Sequence, residues 1–176
     1  MLESLYRLVR DVPDFPKPGI LFKDITPILL DPRAFGEAVD EVVAPFRQAG
    51  ITKVVSVESR GFLLGAPAAL VLNAGLVLVR KPGKLPAATR RAEYQLEYGS
   101  DVLEVHVDAL GAGDRVLIVD DVLATGGTAV ATAQLVEESG AQVVGLSFLI
   151  ELTDLGGRVR IGRGRTVHAA LVYPRR

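Results

Sequence analysis

The chain contains no cysteine and no tryptophan, and only His106 and His168 carry imidazole. Without cysteine there are no disulfides, no thiolate nucleophile and no cysteine-ligated metal. Two histidines are too few for a multi-histidine metal centre. Charge of one sign is missing as well. There are 20 Lys and Arg against 21 Asp and Glu, a net charge of -1. A protein that holds nucleic acid through bulk charge is therefore not expected. No run reaches the ~18 uninterrupted apolar residues of a membrane span, so no membrane association is expected. Glu3, Arg7 and Arg10 interrupt the first ten residues, which is not a signal-peptide core. The expected setting is the cytoplasm.

What is present is a globular composition, 49% hydrophobic and 23% charged over 176 residues. That length predicts one domain, 1–176, able to bury roughly 70% of its unfolded surface without a staple. Leu2, Leu5, Leu8 and Val9 recur at helical spacing. Pro13, Pro16 and Pro18 mark 11–19 as a loop. Asp31 and Pro32 open a helix predicted to run to Ala49, where Gly50 stops it. Apolar runs at 51–57, 76–79, 116–119 and 143–150 read as strands buried on both faces. Helical stretches at 62–73 and 128–139 lie between them, the second closed by Gly140. Strand and helix alternate, so the fold class is α/β, an open, mostly parallel twisted sheet flanked by helices. Residues 94–107 alternate around Gly99-Ser100-Asp101 and read as a hairpin. The segment before it, 81–91, reads as a long polar loop rich in Pro, Gly and basic residues.

The strongest local signal is Val119-Asp120-Asp121-Val122-Leu123-Ala124-Thr125-Gly126-Gly127-Thr128. An apolar strand ends in two carboxylates, a small-residue loop follows, and a helix begins. In open α/β sheets ligands bind beyond the carboxyl ends of the strands. Free N–H groups at the helix N-terminus suit a phosphate. Adjacent carboxylates suit sugar hydroxyls or a metal. The alternative is a tight strand-to-helix turn with Asp as a cap. The loop lacks the Lys of a P-loop, and no dinucleotide fingerprint follows a strand here.

These residues resemble the phosphoribosyl-diphosphate motif of the type I phosphoribosyltransferases. Several further segments are similar to the adenine phosphoribosyltransferases. They are Asp14 to Pro27, Glu58-Ser59-Arg60-Gly61-Phe62, Arg80 to Pro86, Leu96-Glu97-Tyr98-Gly99 and Glu151-Leu152-Thr153. The resemblance implies the type I fold with a small N-terminal hood (1–32) over the base and a flexible catalytic loop (81–100). It implies transfer of a phosphoribosyl group from phosphoribosyl diphosphate to adenine with Mg2+, giving AMP and pyrophosphate, in a homodimer. By the same resemblance Ala124, Thr125, Gly126, Gly127 and Thr128 hold the 5′-phosphate. Asp120 and Asp121 hold the ribose hydroxyls, and the metal indirectly. Ser59, Arg60 and Lys81 meet the diphosphate, with Arg80 and Lys84 as further local positive charge. Phe22 stacks on the base, Leu21 reads its edge and Lys23 lies beside them. Glu97 sits on the closing loop as a general base. A cis peptide is implied between Glu58 and Ser59.

Pro82 and Lys23 stand where many relatives carry Arg. His106 reads as a surface or edge residue and His168 as structural. Arg158, Arg160, Arg163 and Arg165 read as a solvated basic face. Two other functions share this fold: transfer to hypoxanthine or xanthine, and a regulator that senses purine or phosphoribosyl diphosphate without catalysis. Hood and loop carboxylate are both present, which favours the enzyme.

Overall fold

A computed structural model describes residues 2–95 and 100–174, with Gln95 described in its backbone only. The chain opens with α1 (Leu2–Leu8), β1 (Arg10–Pro13) and β2 (Leu21–Asp24). The two strands pair antiparallel as a small sheet of their own, which leaves one edge of β2 free. This is the hood. Next come α2 (Thr26–Leu30), α3 (Pro32–Val43) and a 3₁₀ turn (Ala44–Phe46). Then follow β3 (Lys53–Val57), α4 (Gly61–Val71) and β4 (Gly75–Val79). A hairpin of β5 (Thr89–Gln95) and β6 (Ser100–His106) stands apart from the main sheet. The chain returns with β7 (Arg115–Leu123), α5 (Gly127–Glu138) and β8 (Gln142–Leu152). It ends with a 3₁₀ turn (Thr153–Leu155), α6 (Gly157–Ile161) and β9 (Val167–Tyr173).

The main sheet has the order β4-β3-β7-β8-β9 and all four pairings are parallel. Side chains alternate across a strand, so the sheet separates two apolar layers. Val54, Leu117 and Val119 join α1, α3 and α4 on one face. Val55, Val57, Val116 and Ile118 join α5 and the hairpin on the other.

Several boundaries differ from the sequence reading. α3 stops at Val43 rather than Ala49, because Pro45 cannot continue an α-helix and turns the next residues into 3₁₀. Its start is as expected: Asp31 accepts from the N–H groups of Arg33 and Ala34 at 2.9 and 3.0 Å. β7 runs on to Leu123, so Asp120 and Asp121 lie inside the strand rather than after it. The hairpin begins at Thr89, so the last residues of the segment read as a loop at 81–91 are already paired. Likewise β1 takes Asp11 to Pro13 out of the predicted loop at 11–19. The Glu58–Ser59 peptide is cis, and so is Phe15–Pro16.

Close approach of α4 to β3 carries the N-terminal half of the sheet. A Cβ on Gly65 would sit 2.5 Å from the Cβ of Ser56, which is fully buried and donates its hydroxyl to Val119 O at 3.0 Å. Ala in a helix is favoured over Gly by roughly 0.5–1 kcal/mol. Overpacking a tight contact costs about 1–3 kcal/mol and wins here. Gly65→Ala is therefore expected to lower the unfolding midpoint by several degrees; an unchanged or raised midpoint would show that the contact relaxes freely.

Candidate functional site

The carboxyl ends of the parallel strands open onto a cavity of about 680 Å3, roofed by the hood. β2 supplies Leu21, Phe22 and Lys23, the turn after β3 supplies Glu58, Ser59 and Arg60, and β7 supplies Asp120 and Asp121. Lys81, Tyr94, Ala124 and Thr128 also line the cavity. Next to it lies a hollow of about 80 Å3, formed by the loop from Val122 to Ala129 with Asp120 and Phe148. This loop caps α5. Gly126 adopts φ +79°, and a Cβ there would stand 2.7 Å from Gly157 O. Only glycine satisfies both demands. The first-turn N–H groups of α5 face this hollow with no side-chain cap, a cradle suited to a phosphate.

The two carboxylates differ. Asp121 is buried and forms an ion pair with the Arg60 guanidinium. Asp120 accepts from the Asp121 N–H at 2.8 Å. Burial first, and the neighbouring Asp121 charge second, raise the Asp120 carboxyl well above the ordinary carboxylate range. Gly61 makes room for it: a Cβ there would lie 2.7 Å from Asp120 Oδ1.

The cations are all held by acids. Arg60 also lies over the Phe22 ring, 4.9 Å from its centroid, and so bridges the hood and the carboxylate end. Lys81 Nζ is 2.6 Å from Asp101 on β6, which raises the lysine and lowers the aspartate. Arg80 Nε and Lys84 Nζ are 2.8 and 3.0 Å from Glu58, which also accepts the Lys81 N–H at 2.9 Å. Burial works to raise the Glu58 carboxyl, but these donors outweigh it and hold it below its usual value. Arg80 and Lys84 consequently turn to Glu58 and do not line the cavity. Lys23 does line it, yet its ammonium is 2.5 Å from Asp11 and 4.3 Å from the centroid of Tyr173. Burial, then Tyr6 and Asp11, push the Tyr173 phenol up to about 12.

Thus the structure gathers Leu21, Phe22, Ser59, Arg60, Lys81, Asp120, Asp121, Ala124 and Thr128 at one cavity. Thr125, Gly126 and Gly127 stand at the adjoining hollow. Glu97 lies outside the described residues. Sequence reasoning missed the acids that hold the cations, Glu58 and Asp101, and it missed Tyr94. The Tyr94 hydroxyl meets Asp101 Oδ2 at 3.3 Å and hydrogen-bonds the Thr128 side chain, seating the hairpin on the loop. Glu58 stood inside a recognised segment, which was its one available signal. The C-terminal basic residues are not merely a solvated face. Arg158 grips Glu151 and Val167 O, and Arg165 pairs with Glu137 at 2.8 Å. His106 accepts from the Ala87 N–H at 3.3 Å, and His168 Nε2 meets Glu41 O at 3.0 Å, both structural contacts.

Comparison with known proteins gives a consistent result. Residues 29–162 match the model of the phosphoribosyl transferase domain. An adenine phosphoribosyltransferase of Myxococcus xanthus is 61% identical over 165 residues, 94% of this chain and 90% of that protein. The crystal structure of adenine phosphoribosyltransferase from Rhodothermus marinus superposes with a TM-score of 0.94 at 56% identity, covering 98% of each chain. The Saccharomyces cerevisiae enzyme, solved with D-2,5-dideoxy-2,5-imino-altritol 1,6-bisphosphate and adenine, gives 0.90 at 40% identity, covering 96% of this chain and 97% of that one.

The raised Asp120 carboxyl has a thermodynamic signature. It binds its proton more tightly folded than unfolded, so the protein loses stability as pH rises from about 4 through the folded-state value. Asp120→Asn keeps the acceptor for the Asp121 N–H and has no proton to lose. At pH 7 it should melt measurably above the parent, the gap closing toward pH 4. Parallel melting curves across that range would refute the assignment.

Proposed function

The chain belongs to the adenine phosphoribosyltransferase family of purine salvage, and we propose that this cavity is where the 5-phosphoribosyl group passes from phosphoribosyl diphosphate to adenine, giving AMP and pyrophosphate. The observation that carries this reading is the sequence of surfaces around one cavity: aromatic ring, guanidinium, paired carboxylates, helix N-terminus. They match base, diphosphate, ribose and 5′-phosphate in that order.

Phe22 offers a face for the purine, and the free edge of β2 at Leu21 offers backbone groups to its Watson–Crick side. Ala124 to Thr128 receive the 5′-phosphate. Asp120 and Asp121 face the ribose, where carboxylates favour the positive charge of an oxocarbenium-like transition state. Arg60, Ser59 and Lys81 take the diphosphate, with Arg80 and Lys84 recruited from Glu58. In the reaction the bond from C1 of the ribose to the diphosphate breaks and a bond to N9 of adenine forms. The N7 proton passes to a base, the role we assign to Glu97.

Magnesium fits this donor set as an ion shared with substrate. Among the described residues no three His, Asp or Glu side chains are grouped to cage a metal. Mg2+ characteristically binds through one or two carboxylates together with substrate phosphates, keeping several waters. Asp120 and Asp121 would hold it through the ribose hydroxyls or water, and it would neutralise charge on the leaving group. A cytoplasmic setting agrees with phosphorylated substrates that do not cross membranes. A homodimer is the assembly that best covers α4 and the edge strand β4, which leave Leu63, Leu70, Val71, Leu76 and Leu78 exposed. A solution mass of one chain would remove that reading.

Adenine should be the preferred base. A backbone N–H and C=O pair suits its N1 and 6-amino group, and hypoxanthine reverses both. Mispaired buried polar groups cost about 1–3 kcal/mol each, so discrimination of about a hundredfold or more is expected. A spectrophotometric screen of adenine, hypoxanthine, guanine and xanthine, with and without magnesium, tests this. Equal efficiency with hypoxanthine would overturn the specificity, and turnover of no base would leave a regulator.

In the same assay Glu97→Gln should lower kcat by roughly 10²–10⁴, because the amide cannot accept the proton. An unchanged kcat with chemistry rate-limiting would free Glu97 of that role.

A further inference from the structure

Glu104 on β6 is a carboxylate with a side chain only 2% exposed, and it does not line the cavity. Buried acids are rare unless something holds them. Its Oε2 accepts the Gly83 N–H at 3.1 Å, and its Oε1 lies 2.7 Å from Arg91 Nε across the hairpin. Its backbone exchanges two hydrogen bonds with Arg80, at 2.9 and 2.7 Å. Residues 80–84 are thus gripped twice by one residue from behind, at Arg80 through the main chain and at Gly83 through the side chain. Gly83, at φ +78°, makes the turn that returns Lys84 toward Glu58.

We propose that Glu104 is a positioning residue for diphosphate recognition, fixing the 80–84 turn so that Lys81 and Lys84 meet the ligand in register. This rests on the assignment of those cations to the diphosphate. The two acids that hold the segment then divide the task. Glu58 lies in the cavity wall and holds Arg80 and Lys84 by their side chains, contacts that an incoming diphosphate replaces. Glu104 holds the main chain, and no ligand group competes for it. When the side chains change partner, the turn keeps its place.

Isothermal titration with inorganic pyrophosphate and, separately, AMP tests this on the purified full chain. AMP carries no diphosphate and serves as the internal reference. Glu104→Met fills the volume without an acceptor and should weaken pyrophosphate binding about 10-fold or more. AMP affinity should stay within about twofold. Glu104→Gln keeps an oxygen for the Gly83 N–H and should restore most of the loss. If Glu104→Met does not fold, Glu104→Asp, which withdraws the oxygen by one methylene, should show the same selective loss. Equal loss for both ligands, or for neither, overturns the proposal. Lys84→Met is the companion. If it leaves pyrophosphate binding unchanged, the assignment of the basic segment fails; if it weakens binding while Glu104→Met does not, the positioning role alone fails.

Discussion

In a parallel sheet every strand delivers its carboxyl end to the same edge, and the helix that follows must start there with four N–H groups unsatisfied. Here that constraint gathers chemistry from distant parts of the chain. β3 brings Glu58, Ser59 and Arg60, and β7 brings Asp120 and Asp121 with the loop that starts α5. β4 ends just before Arg80, whose main chain crosses to Glu104 of the hairpin. The two apolar layers hold the strands that bring those ends together. Gly61 and Gly65 matter for the same reason, since they let α4 lie directly on β3 and beside Asp120.

The carboxylates at the edge create a problem that the fold answers locally. Two adjacent acids in a buried strand repel each other and lose hydration. One is relieved by Arg60, and the other is left with its carboxyl raised by burial and by that neighbour. Arg60 can serve because it sits one residue before α4, pinned over Phe22 of the hood. Hood, helix and central strand therefore meet through one guanidinium, although they are separate in sequence.

How much of this could be read in advance follows from the range of each interaction. Strands and helices with local signals were legible, as was Val119 to Thr128, because strand, acids, glycines and helix are contiguous there. α3 was overrun past Val43 because its apolar pattern continued through Pro45. The start of β5 was hidden in Thr89-Arg90-Arg91, polar residues that pair only because β6 lies opposite. The partners of Lys23, Lys81 and Lys84 were invisible, since Asp11, Asp101 and Glu58 are selected by tertiary contact alone. Arg158 and Arg165 looked like surface charge for the same reason.

The pairing of site cations with acids bears on the speed of ligand capture. Arg60 faces Asp121, Lys81 faces Asp101, and Arg80 and Lys84 share Glu58, so four cations meet three carboxylates in a molecule that is near neutral as a whole. Beyond a Debye length of about 8 Å so nearly balanced a cluster projects little field. With one cation in excess, a polyanion approaching from solution is then steered only weakly, and its encounter rate should depend modestly on ionic strength. On the proposed assignment most of the attraction begins at contact, when the ligand's oxygens displace the carboxylates in turn. Under that assignment the entrance favours anions with enough oxygens to complete the exchange, so discrimination would start with ion-pair stoichiometry before any base is read.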